Sequence, residues 1–127
     1  MGVNSDGTLL LDEGSFIGLG SVSWDTTVKT SAFTAVSGVG YFVNTTSGAI
    51  TATLPAGSAG NIVAFSDYAS TFQTNNLIIS PNGTDKINGN NANAVLVTQG
   101  SAATLLYIDS TRGWKTVGGS QDNITGT

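Results

Sequence analysis

The sequence predicts an all-β fold, a single β-sandwich of jelly-roll-like type with a short N-terminal arm. Short runs of β-forming residues recur along the chain between turns rich in Gly, Asn and Ser. No long stretch keeps its apolar residues at helical spacing. The chain has 127 residues, a single-domain length with enough material for one hydrophobic core.

The strands are predicted from alternation and from the turns that separate them. Val22, Trp24 and Thr26 alternate with polar neighbours, and Pro55 ends a strand because proline has no N–H for a ladder bond. About nine short strands follow, a number that suits a sandwich. They are residues 22–26, 33–36, 40–44, 49–54, 61–65, 77–79, 94–98, 104–108 and 114–117.

The chain divides into three parts. Residues 1–20 are predicted to form an arm, residues 21–118 the sandwich, and residues 119–127 a flexible tail, because that last segment is small and polar. The arm carries glycine-punctuated apolar residues that make no core by themselves. We therefore expect them to anchor the protein to a particle or to contact another subunit: Leu9, Leu10, Leu11, Phe16 and Ile17.

Composition excludes several classes of partner. Charged residues make up only 9% of the chain, the net charge is −4, and there are four basic residues. Nucleic-acid binding needs clustered Lys and Arg, so it is not expected. The longest apolar runs are far too short for a membrane span, and the first residues lack the features of a secretory signal, so no membrane insertion is expected.

Catalysis is not expected either. The chain has no His and no Cys, which excludes the common nucleophilic triads and histidine-ligated zinc. The one adjacent acidic pair, Asp12 and Glu13, lies in the arm, where a solvated turn is favoured over a catalytic pair because burial is lacking. No catalytic residue and no cofactor are predicted.

A metal site is also not expected. The segments 82–85 and 88–93 are rich in oxygen ligands, but Asp85 is their single carboxylate. Calcium sites group several carboxylates, and the spacing does not match an EF-hand loop. A turn-rich loop is therefore favoured.

Ligand contact remains as an alternative for three residues. Asp67 either accepts backbone N–H bonds in a tight turn or binds a ligand together with Tyr68. Trp114 lies beside a loop and could join them in stacking on a sugar. For Trp24 and Trp114, packing in the core is the favoured interpretation.

One succession of residues resembles a known family. It runs through GYFVNTTSG (40–48), ITATLP (50–55) and GNIVAFSDY (60–68), then NLII (76–79), LYI (106–108) and GW (113–114). It resembles small β-domains in tail-fibre and other virion structural proteins of marine and cyanobacterial phages, and it covers about residues 21–118.

The resemblance implies a homotrimeric β-sandwich that decorates the virion or contacts the host, with other virion proteins as partners. It carries no catalytic signature. Such domains are usually embedded in long fibre chains, whereas this chain opens with its own Met1 and a short arm, which favours a capsid-decorating or head-fibre protein. The alternative function is a carbohydrate-binding, receptor-recognition module that contacts a host-surface glycan.

Overall fold

A computed structural model describes residues 22–119 and 124–126. These residues form ten strands and no helix. The strands are β1 (Ser23–Lys29), β2 (Phe33–Thr34), β3 (Val39–Val43), β4 (Ile50–Thr53), β5 (Ile62–Asp67), β6 (Leu77–Ser80), β7 (Ala94–Leu96), β8 (Ala102–Asp109), β9 (Gly113–Gly119) and β10 (Ile124–Gly126).

The strands form two five-stranded sheets. The first sheet has the order β9-β8-β5-β3-β1, and the second has the order β10-β7-β6-β4-β2. From β1 to β6 the chain alternates between the sheets, so that it makes three coils with one strand in each sheet. Strands of successive coils are parallel neighbours in both sheets.

The second half of the chain closes the stack with antiparallel strands. β7 and β8 pair with the last coil, one in each sheet, and β9 and β10 then pair with β8 and β7. β8 and β9 form a hairpin that requires Gly113. This residue has φ +72°, and a Cβ there would overlap the backbone carbonyl of Lys86.

A single apolar core lies between the sheets. Alternate residues of each strand point inward, as the pleat requires. Val63 and Phe65 of β5 belong to the core together with Leu77 and Ile79 of β6 and Trp114 of β9.

The predicted all-β sandwich is confirmed, and each predicted strand overlaps an observed one. The connections differ from those of a jelly roll, whose neighbouring strands are antiparallel, because the first six strands coil between the sheets. Within the predicted tail, residues 124–126 pair with β7. The predicted arm, with Leu9, Leu10, Leu11, Phe16 and Ile17, lies outside the described residues. Among those that are described, no helix is long and apolar enough to cross a membrane.

Candidate functional site

Asp67 ties two loops together at one end of the sandwich. Its side chain is buried, and its Oδ1 accepts a hydrogen bond from the N–H of Thr71 (3.0 Å). Its Oδ2 accepts from the N–H groups of Phe72 (3.0 Å) and Gly100 (2.9 Å). The carboxylate thus connects the loop after β5 to the turn before β8. Of the two roles that the sequence left open for Asp67, this is the structural one, in which it accepts backbone N–H bonds.

Trp114 belongs to the core. Its side chain is 0% exposed, and its ring centroid lies 5.6 Å from that of Tyr107. The indole Nε1 has no hydrogen-bond partner among the described residues. A ring without exposed surface cannot stack on a sugar, so Trp114 is not available as a ligand contact.

The three predicted ligand residues do not come together. Trp114 pairs with Tyr107, whose N–H donates to the carbonyl oxygen of Asn61. Asp67 ends β5, six residues after Asn61, which directly precedes that strand. At the rise of an extended strand, six positions separate the two ends of the sheet by about 20 Å.

Tyr68 is the accessible member of the predicted set. Its side chain is 57% exposed, and its N–H donates to the carbonyl oxygen of Val43. It lies at the end of the first sheet where Thr30 and Asn44 also follow their strands. An open groove of about 370 Å³ at this end is lined by small residues: Thr30, Ser31, Ala32, Ser47, Gly48, Ala49, Ile50 and Thr51.

Each of the four described carboxylates accepts backbone N–H bonds. Besides Asp67, Asp25 accepts from Thr27, Asp85 from Gly57, and Asp109 from its own hairpin turn. In the part of the chain that the structure describes, no three His, Cys, Asp or Glu residues group as metal ligands. In the Asn-rich loop that holds Asp85, Asn91 Nδ2 donates to the carbonyl oxygen of Asp85 (2.6 Å), and Asn88 Nδ2 donates to the hydroxyl of Thr116 (3.3 Å).

The surface that stands out is the outer side of the first sheet. Val63 and Phe65 of β5 point into the core, so Ile62 and Ala64 occupy outward positions, yet they are only 8% and 1% exposed. The outward positions of β3 and β8 are also largely apolar. We call this surface the outer apolar face: Trp24, Phe42, Ile62, Ala64, Leu106 and Ile108.

Trp24 lies flat on this face. It pairs with Gly40 across β1 and β3, and a Cβ at Gly40 would lie 2.6 Å from the indole ring. The row continues through Ala64 and Thr104 to Gly118, so small side chains form a floor across the whole sheet. Phe42 packs beside the indole with 5.0 Å between ring centroids. Trp24 remains 43% exposed.

The outer side of the second sheet is more polar. Thr34, Thr53 and Ser80 pair in one row across β2, β4 and β6. Hydroxyl groups of this kind are well solvated, although the half-buried Ile78 and Val95 also pair at outward positions of this sheet. The two sides of the sandwich therefore differ in what they expose.

The sheet edges are protected. Edge strand β1 has a register shift between Asp25 and Lys29, and both charged residues lie at inward-facing register positions. Edge strand β9 has two register shifts and carries Lys115. β2 and β10 have only two and three residues. Bulges, charges and short length are the features by which proteins prevent strand addition at an edge.

The interpretation of Trp24 as a core residue was wrong, and the outer apolar face was not predicted. Trp24 alternates with Ser23 and Asp25, which shows that it lies on one side of a strand but not on which side. One sequence signal does point to the face. Residues 62–65 form an apolar run without alternation, which is typical of a strand covered on both sides.

Comparison with known proteins adds no relative. A scan against protein-family models finds no match for the chain, and a search of curated proteins finds none.

Proposed function

We propose that this chain is a bacteriophage virion structural protein, a capsid-decoration, head-fibre or tail-fibre component that acts as a homotrimer and not as an enzyme. The resemblance to small β-domains of phage virion proteins suggests this class of protein. The observation that carries the proposal is the outer apolar face, which exposes Trp24 and Ile108 on a sandwich whose sheet edges are protected. Such a surface is typical of a protein that works by assembly.

The chemistry of the described residues supports a non-catalytic role. The described carboxylates each hold a turn or a loop, and none is paired with another acid for proton transfer. The chain has no His and no Cys to act as base or nucleophile. Its mechanism is therefore apolar burial between copies and against other virion proteins.

Attachment to the particle is assigned to the arm. The residues proposed to make this contact are Leu9, Leu10, Leu11, Phe16 and Ile17. Deletion of residues 1–20 should leave a folded sandwich, seen as an unchanged near-ultraviolet circular dichroism spectrum, and should abolish co-sedimentation with phage particles. A folded truncated protein that still sediments with particles at the wild-type level would overturn the anchoring role.

The second candidate is a carbohydrate-binding module for host-surface glycans. The observation that favours it is the exposed Tyr68 at the same end of the sandwich as the hydroxyl-lined groove. Aromatic faces and neutral hydroxyls suit sugar recognition. Tyr68→Ala should abolish binding on a glycan panel, whereas Val36→Ala, which alters an exposed residue in the β2–β3 turn, should not. Wild-type protein that binds no glycan on the panel would remove this candidate.

A further inference from the structure

We propose that copies of this chain contact one another through the outer apolar face of the first sheet, with Trp24 as the central contact. The inference rests on the proposed homotrimer and assigns the surface that holds it together. The face is built from outward positions of four strands, β1, β3, β5 and β8, so it is a continuous part of the sheet and not a single exposed residue.

Part of the face remains in water, although Ile62 and Ala64 within it are already buried. Trp24 is 43% and Ile108 is 44% exposed, and both flank side chains that are already buried. Burial of apolar area is the main favourable term in association. Contact with the same face of the other copies would remove this area from water.

The charges favour a second copy as the partner. Lys115 is the one charged side chain at an outward position of the described strands of this sheet. Asp25 pairs with the inward-facing Tyr41, and Asp67 points into its loop clamp. Two or three such faces can therefore meet without bringing carboxylates together, although the whole chain has a net charge of −4. A strongly charged partner would find no complementary charge here.

The alternative route to self-association is blocked by the sheet edges. Addition of strands from another copy would need a long and regular unpaired edge. The two longer edge strands, β1 and β9, contain register shifts, and the other two edge strands are very short. Among the described surfaces, association through a face is favoured over association through an edge.

Trp24 is suited to be the central contact because its position is already fixed. One side of the indole rests on Gly40 and the ring packs beside Phe42, so binding would cost little additional side-chain entropy. Tryptophan is also the residue type most enriched among dominant interface contacts. The remaining floor of small residues, Thr104 and Gly118, leaves room for a partner side chain.

The size of the outer apolar face determines how strongly copies of the chain are expected to associate. Four strands about 4.8 Å apart and about six residues long give a projected area of roughly 400 Å². A standard interface buries about 800 Å² per partner. The face alone therefore supports association that depends on protein concentration, and the test has to cover a range of concentrations.

The test is light scattering on the full chain and three variants from micromolar to millimolar concentration. Trp24→Ala removes the central contact, and Ile108→Asp places a charge on the face. Val36→Asp is the matched control, because Val36 is 59% exposed and lies in the β2–β3 turn, not at an outward position of a strand of the first sheet. Near-ultraviolet circular dichroism of each variant checks that it is folded.

The proposal predicts that both face variants weaken association by roughly tenfold or more, whereas the control does not. A wild-type chain that stays monomeric at every concentration would contradict both the homotrimer and the face contact. A wild-type trimer whose face variants associate as strongly as the control would overturn the face contact and leave the homotrimer standing.

Discussion

The clamp at Asp67 gives the sharpest prediction about stability. Its carboxylate accepts three backbone N–H bonds of 2.9–3.0 Å, and the bond from Phe72 is fully buried. Asp67→Ala would leave these donors without an acceptor. A hydrogen bond to a charged group contributes about 1.5–3 kcal/mol, and part of this loss is recovered where water reaches the two part-buried donors. The free energy of unfolding should therefore fall by about 3–5 kcal/mol.

Two further variants separate the clamp from a general effect of removing charge. Asp67→Asn keeps one oxygen acceptor but turns an NH₂ group toward a donor, so it should cost about 2 kcal/mol. Asp109→Ala removes an exposed carboxylate that also accepts two backbone bonds, from Thr111 and Arg112. Because water can replace those bonds, its cost should be only about 0.5–1 kcal/mol.

Urea denaturation at one fixed protein concentration measures these differences. The concentration has to be fixed because the proposed self-association would stabilise the folded chain. The fluorescence of the buried Trp114 reports unfolding, and an unchanged m-value shows that the folded state keeps its size. If Asp67→Ala cost no more than Asp109→Ala, the clamp would contribute little to stability, and a ligand role for Asp67 would again be the better explanation.

Two other predictions follow from the backbone and from the tryptophans. Gly113→Ala should lower the free energy of unfolding, measured by urea denaturation, by more than about 2 kcal/mol, because the new Cβ would overlap the carbonyl of Lys86. Gly83→Ala, at φ +55° with open space around it, should cost only about 1 kcal/mol. Equal losses in the two variants would contradict the close approach of Gly113 to Lys86. Acrylamide should quench Trp24 and leave Trp114 unquenched in dilute protein, so Trp24→Phe should remove nearly all quenching. Strong quenching in that variant would contradict the burial of Trp114.

The strands could be predicted from the sequence, whereas their connections could not. Alternation and turn residues identified β3 at residues 40–44 and the β8–β9 hairpin, because both signals are local. Alternation does not distinguish parallel from antiparallel neighbours. The pairing of Phe33 with Ala52 and of Ala52 with Ile79, which defines the coils, depends on contacts far apart in the chain.

The outer apolar face could not be predicted from the sequence, for a related reason. Period-two alternation places Trp24 on one side of β1, but only the position of β1 in the sheet decides whether that side faces the core. The two tryptophans consequently have opposite environments, with Trp24 on the outer apolar face and Trp114 in the core. The unbroken run at residues 62–65 was the local signal that both sides of β5 are covered.

Association between copies of the chain is the basis of the proposed function. The most direct measurement is the mass of the wild-type protein in solution, by light scattering across a dilution series. We expect the mass of a trimer, about three times 12.8 kDa, and a fall in this mass on dilution. A mass of one chain at every concentration would contradict this expectation.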